Sequence, residues 1–239
     1  MNMLEPSLQI RTLDAGGTHA RRSGAQPAEP DALPDLLLIQ RARGGDARAI
    51  EALIRRYSRR LFRVARSVLP DGERAEAAVL EAYTAAFGDL SRYEPTGKFA
   101  AWLTRLTFNQ ARALRASARA GHVLTQQAPA ETQSGESRER HDLEQQIGKL
   151  PEVFRTVFML RVLEGISGIE TAASLGLHET TVRTRLYRAH RRLGPDAAGR
   201  VRVGPALFEL TPARLEQLVR RVLAGLPHGS MLTISASPP

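Results

Sequence analysis

Between Glu179 and Leu193 the chain reads ETTVRTRLYRAHRRL. Wound as a helix, this string puts Val182, Leu186, Ala189 and Leu193 on one side, at spacings of four, three and four. That apolar side must pack on its own domain. The opposite side carries Thr180, Arg183, Thr184, Tyr187, Arg188 and Arg191, with no acidic residue after Glu179. Such a face has a definite chemistry. An α-helix fits the major groove of B-form DNA, where arginine bonds guanine in bidentate fashion. Threonine and tyrosine reach phosphates or the thymine methyl. Residues at the helix start, Thr180, Thr181, Arg183 and Thr184, are best placed for bases, and Arg191 and Arg192 for phosphates. The alternative is an ordinary amphipathic helix whose basic side is merely solvated.

A second stretch offers different chemistry. From Lys98 to Arg119 the cations Lys98, Arg105, Arg112, Arg115 and Arg119 occur with no acidic residue, beside Phe99, Phe108, Asn109 and the only tryptophan, Trp102. Cationic side chains among aromatics hold single-stranded DNA by phosphate contact and base stacking, and a flipped base needs such a receiving surface. Trp102 also lies on an apolar stripe with Leu103 and Leu106, which favours a core position for it. Asn109 and Arg112 face away from that stripe.

The elements that must hold these surfaces are helical. From Asp35 the pattern takes a helical period. Asp46, after Gly44-Gly45, can cap a helix with Ile50, Ile54, Tyr57, Leu61, Val64 and Val68 on one face, ended by Pro70. Ala75, Ala78, Val79, Ala82, Tyr83, Ala86 and Phe87 make a second one-sided stripe. A third helix starts near Phe99. Together they form a small bundle over residues 33–116. Residues 117–141 are polar, with apolar residues too scattered to form a face, and read as a flexible linker. Helical patterning resumes near Leu143, with Pro151 in a first turn and Gly165 as a stop. Ser167–Leu175, the turn Gly176-Leu177 and Glu179–Leu193 then make a helix-turn-helix, closed by Gly194-Pro195. Residues 1–32 read as a disordered tail, and 196–239 as an extension with one short helix, Thr211 to Leu226. No period-two run of β-branched residues occurs, so the fold is all-α: two helical domains, 33–116 and 142–195, joined by a flexible linker.

Composition agrees with a polyanionic partner. Lys plus Arg is 34 against 25 Asp plus Glu, a net charge of +9, and only Lys98 and Lys149 are lysines. Nucleic acid is favoured over a membrane surface, and no apolar run is long enough to insert in a bilayer. With no cysteine and six scattered histidines, no disulfide, thiolate metal site or thiol nucleophile can form. No phosphate-cradling glycine loop is present either. The expectation is a cytoplasmic protein without catalytic activity, cofactor or metal.

Several strings, taken in order, carry a resemblance. They are LIQRARGGDARAIEALIRRYSRRLFRVA, AEAAVLEAYTAAF and FAAWLTRLTFNQARAL, then LPEVFRTVFMLRVLEGIS and ETAASLGLHETTVRTRLYRAHRRL. The chain resembles the extracytoplasmic-function sigma factors of bacterial RNA polymerase, in the sigma-70 family, over residues 35–116 and 143–193. The resemblance implies a region 2-like bundle and a region 4-like helix-turn-helix that bind core RNA polymerase and read promoter DNA at two places. By it, Thr180, Thr181, Arg183, Thr184, Tyr187, Arg188 and Arg191 read the upstream (−35) element as duplex. Lys98, Trp102, Arg105, Asn109 and Arg112 engage the melted −10 element, and the loop Arg92 to Lys98 holds an everted base. Glu76 and Glu81 face the polymerase clamp, and an anti-sigma factor is an expected partner in a stress or envelope response.

Three positions depart from the family pattern. Ala77 stands where an aspartate is usual, Leu80 where a glutamine is usual, and His178 where a serine or similar cap precedes the recognition helix. The first two remove polar groups from the expected polymerase contact. They keep open a second reading, a sigma-like interaction protein that binds without initiating. A third reading, a free-standing helix-turn-helix regulator, lacks an evident dimer seam.

Overall fold

The structure, a computed structural model, describes residues 33–90, 93–94, 98–120, 135–194, 199–201 and 207–226. The tail 1–32, the span 121–134 of the expected linker, and Arg92 and residues 95–97 of the expected base-holding loop lie outside the described residues.

The first unit is built on α1 (Asp35–Arg43), α2 (Ala47–Val68), α3 (Gly72–Gly88) and α4 (Phe99–Ala120). The Asp46 carboxylate accepts from the backbone N–H of Arg48 at 2.9 Å and of Ala49 at 3.3 Å, satisfying two donors that the first turn of α2 leaves free. Asp71 does the same for α3. The apolar faces predicted for α2 and α3 are buried, Ile50 through Val68 and Ala75 through Ala86. The phenol deep in that core is satisfied: Tyr83 donates to the Ile54 carbonyl at 3.0 Å and lies 3.1 Å from Ser58 Oγ.

The second unit comprises α5 (Gly135–Gly148), α6 (Glu152–Phe158), α7 (Gly168–Leu175) and α8 (Glu179–Leu193). After α6 the chain widens into a π turn over Met159–Leu163, where Glu164 N–H reaches back five residues to the Met159 carbonyl at 3.0 Å. Val157, Ala172 and Val182 pack between α6, α7 and α8, and Leu143, Ile147, Phe158 and Ala189 form a second cluster under α5. Among the described residues every regular element is a helix.

Helices reach into the expected linker from both sides, α4 to Ala120 and α5 from Gly135. The residues there are Ala, Arg, Glu and Ser, good or neutral helix formers, so polarity without an apolar face did not prevent helix.

The two units do not stand apart. Val64 and Phe108 of the first meet Leu160, Ile166 and Leu175 of the second in one apolar cluster. Around it, Ser67 Oγ lies 2.9 Å from Thr156 Oγ1, and Arg155 Nε donates to the Ser67 carbonyl at 2.6 Å. Among the described residues the most buried ion pair spans this seam. Arg63 Nη1 is 2.6 Å from Glu164 Oε1, with side chains only 7% and 8% exposed, and Arg63 Nε donates to the Leu207 carbonyl at 2.9 Å.

A last helix, α9 (Pro212–Gly225), follows Leu207-Phe208 and packs on α2 and α3. Thr211 caps it, accepting from Arg214 N–H at 3.4 Å, and Leu218, Val219 and Val222 are buried in the core of the first unit.

Removing one partner of a buried pair strands the other charge. Arg63→Ala should therefore lower the unfolding free energy by about 3–5 kcal/mol. Arg55→Ala, at the more exposed Arg55–Glu216 pair, should cost under about 1 kcal/mol. Urea denaturation of the two variants beside the parent measures the difference.

Candidate nucleic-acid interface

α8 is set by its ends. Gly176, with φ +64°, turns the chain out of α7, and a β-carbon there would sit 2.5 Å from the Arg105 guanidinium. Glycine is required there by conformation, and a larger residue would also push the Arg105 guanidinium aside. His178 occupies the N-cap of α8 in extended conformation but makes no side-chain capping hydrogen bond. Gly194, at φ +90°, ends the helix.

The face predicted to be free is free. Val182 and Ala189 are buried and Leu186 and Leu193 partly so, while Thr180, Arg183, Thr184, Tyr187, Arg188 and Arg191 are exposed. Thr181 is intermediate. Tyr187 is 63% exposed, which nothing in its own domain explains. The Arg191 guanidinium lies 6.0 Å from its ring, and Arg192 lies 5.6 Å from the Phe154 ring. Arg183 and Arg188 make no ion pair with any described residue. One hydroxyl is partly engaged: Thr184 Oγ1 donates to the Thr180 carbonyl at 2.9 Å. Thr180, Thr181, Thr184 and Arg188 also border a groove of about 460 Å³ closed on its far side by Val153 and Phe154 of α6.

The second surface is arranged differently. Trp102 is half-buried, in an aromatic cluster with Tyr93 at 4.8 Å and Phe99 at 5.5 Å between ring centroids. It serves as core on one side. On the other it lines a groove of about 650 Å³ together with Tyr93, Glu94, Lys98, Arg105 and Leu106. Asn109 is exposed. The cations of α4, however, are met by acids of the second unit. Lys98 Nζ is 3.2 Å from Glu170 Oε2, Arg112 Nε is 3.8 Å from Glu152 Oε1, and Arg115 pairs with Glu152 as well. Arg105 rests on the Gly176 turn. Glu170 also takes Arg60 at 2.9 Å. Burial alone would raise the Glu170 carboxyl, but its hydrogen bonds from Arg60 and Lys98 outweigh that and hold it below the usual carboxylate range.

The structure places Trp102, Arg105, Asn109 and Arg112 on α4 and Lys98 just before it, and sets against Lys98 and Arg112 acids that the sequence pattern did not reveal. Glu152 and Glu170, in the first turns of α6 and α7, carry no signal in the sequence that pairs them with α4. Of the two polymerase candidates, Glu81 is exposed, and Glu76 is engaged by Arg214 of α9 at 2.7 Å. Among the described residues no group of three or more His, Asp or Glu is placed to hold a metal ion, and no helix is long and apolar enough to cross a membrane.

An outward helix-turn-helix joined to a bundle with an aromatic, arginine-bearing helix defines a two-part nucleic-acid-binding factor. The family model for sigma-70 region 2 matches residues 53–120, and that for sigma-70 region 4 matches residues 140–193. The RNA polymerase sigma factor CnrH of Cupriavidus metallidurans is 30% identical over 176 residues, 66% of this chain and 92% of CnrH. The ECF RNA polymerase sigma-E factor of Escherichia coli is 28% identical over 174 residues, 66% of this chain and 91% of its own. The ECF sigma factor SigE of Mycolicibacterium smegmatis is 30% identical over 155 residues, but the chain spans only 59% of its length. Among solved structures, CnrH in complex with the cytosolic domain of CnrY superposes with a TM-score of 0.53 at 28% identity, covering 66% of this chain and 94% of that one. The chain therefore belongs to the sigma-70 family of RNA polymerase sigma factors, in its extracytoplasmic-function group. Its two matched regions are those of promoter recognition and transcription initiation.

The uncapped start of α8 gives a direct test. His178→Ser supplies the missing acceptor and should stabilise the second unit by about 0.5–1 kcal/mol, read as a rise in the thermal unfolding midpoint.

Proposed function

We propose that this protein is a sigma factor that acts in the cytoplasm, binding core RNA polymerase through α3 and promoter DNA through α8 and α4. The observation that carries this reading is the outward face of α8, on which Arg183, Thr184, Tyr187 and Arg188 stand exposed and without acidic partners. On this reading Thr180, Thr181, Arg183 and Thr184 meet base edges of the upstream element, and Arg191 lies along phosphates. Lys98, Trp102, Arg105, Asn109 and Arg112 take the melted −10 strand, with the Trp102 groove receiving an unstacked base. Capture of unpaired bases stabilises the open duplex, so melting draws on binding energy alone.

In the packed form Lys98, Arg112 and Arg115 are already paired with Glu170 and Glu152. Engagement of the −10 strand exchanges those carboxylates for phosphates, and for this the seam between the units opens. Glu76 and Glu81 face the polymerase. An anti-sigma protein is the partner we assign for holding the factor inactive, in a stress or envelope response. This assignment is supported by the CnrH–CnrY complex, whose CnrH chain has this fold.

The test is run-off transcription by core polymerase with this chain on a promoter library. Transcripts from defined starts support the reading. Binding to polymerase without transcripts would favour a sigma-like interaction protein, and DNA binding without polymerase a free-standing regulator. In the same assay Arg183→Ala or Arg188→Ala should lose about 1–3 kcal/mol of discrimination at the upstream element. Weakening of all sequences alike, with a salt slope lower by about one, would make that arginine a phosphate contact only.

A further inference from the structure

The segment from Leu207 to Leu226 lies beyond the two matched regions, yet it is tied to both units. Its first residues enter the second unit and the seam. Leu207 and Phe208 are buried in the cluster of Leu143, Ile147 and Phe158, and Phe208 N–H donates to Glu144 Oε1 at 2.6 Å. The Leu207 carbonyl takes Arg63 of α2, and the Arg66 guanidinium lies 5.4 Å from the Phe208 ring. Phe208 accepts a φ of +50° to make these contacts, a conformation an L-residue holds only when its surroundings fix it.

The remainder, α9, lies across the first unit. Its stripe Leu215, Leu218, Val219, Val222 and Leu226 falls at helical spacing, and Leu218, Val219 and Val222 are buried in the core cluster that includes Ala75, Ala78 and Val79 of α3. Two ion pairs fix its register. Arg214 Nη1 is 2.7 Å from Glu76 Oε1, and Arg55 holds Glu216 through two bonds of 2.6 and 2.9 Å. Leu80, one turn after Glu76 on α3, packs against the same core cluster. The loss of polar groups at Ala77 and Leu80 suits a helix surface that meets an apolar partner within its own chain.

We propose that residues 207–226 form a latch that holds the two units closed and competes with core RNA polymerase for the Glu76 face of α3. The inference rests on the assignment of Glu76 to polymerase contact. Arg214 occupies that carboxylate, and the latch crosses from the second unit to the first, so a single release uncovers α3 and loosens the seam. Polymerase must displace α9 before it can bind there, which lowers its apparent affinity by the fraction of chains that are unlatched.

Two full-length variants test this by titration with core polymerase. In Arg214→Glu with Glu216→Arg, both ion pairs become repulsive while the apolar stripe is kept. Affinity for polymerase should rise by about tenfold, with earlier saturation of run-off transcription. The second variant exploits the lack of cysteine in the chain. Arg55→Cys with Glu216→Cys, bridged by a short bismaleimide, tethers α9 to α2 without touching α3. The bridged protein should bind polymerase at least about tenfold more weakly than the same protein unbridged. Equal affinity of bridged and unbridged protein overturns the latch even if the charge-reversed variant proves unstable. If neither parent nor variants bind polymerase at all, the sigma-factor assignment itself fails and the latch with it.

Discussion

An arginine buried against a glutamate, Arg63 with Glu164, sits where the two halves of this chain meet. Neither charge can be left alone there, because an unpaired ion in so dry a place costs several kcal/mol. The pair therefore ties α2 to the end of the π turn after α6, and the apolar contacts of Val64, Phe108, Leu160 and Ile166 close around it. That closure brings Glu152 and Glu170 onto Lys98, Arg112 and Arg115, while the outward face of α8 is set by the packing of Val182 and Ala189 within the second unit.

The two arginine surfaces are thus in opposite states in one conformation. The α8 face stands exposed, and on the proposed reading it meets duplex DNA without rearrangement. The α4 face is held by carboxylates that are themselves mostly buried, while Lys98 and Arg112 stay largely exposed; on the proposed reading the phosphates of a DNA strand take the place of those carboxylates. Lys98, 75% exposed on its side chain even while paired, is the least committed of these groups. The C-terminal segment adds a second tie across the same seam, from Phe208 in one unit to α9 on the other.

Much of this was legible in the sequence. The cap Asp46, the stops at Pro70 and Gly194, and the Gly176 turn are local chemistry, and the helices they bound formed where expected. The sidedness of α8 was readable too, because Val182, Leu186, Ala189 and Leu193 admit only one inward face. What a periodic pattern cannot express is which charges meet across a seam. Nothing in the spacing of Glu152 and Glu170 pointed to Arg112 or Lys98. Residues 117–120 and 135–141 read as linker because helix formers without an apolar face give no period to detect. α9 was expected as a helix over Thr211 to Leu226, but its seat on α2 and α3 depended on Arg214 meeting Glu76, a pairing 138 positions apart.

The closed seam and its release can be followed directly by distance. Spin labels on Ala113→Cys in α4 and Glu139→Cys in α5, both exposed sites in a chain with no other cysteine, report the separation of the two units. A single short distance in the isolated protein, replaced by a longer one once core RNA polymerase and promoter DNA are added, is the predicted result. An unchanged short distance in a complex that is actively making transcripts would contradict it, since α4 would then be meeting the promoter with its cations still held by Glu152 and Glu170.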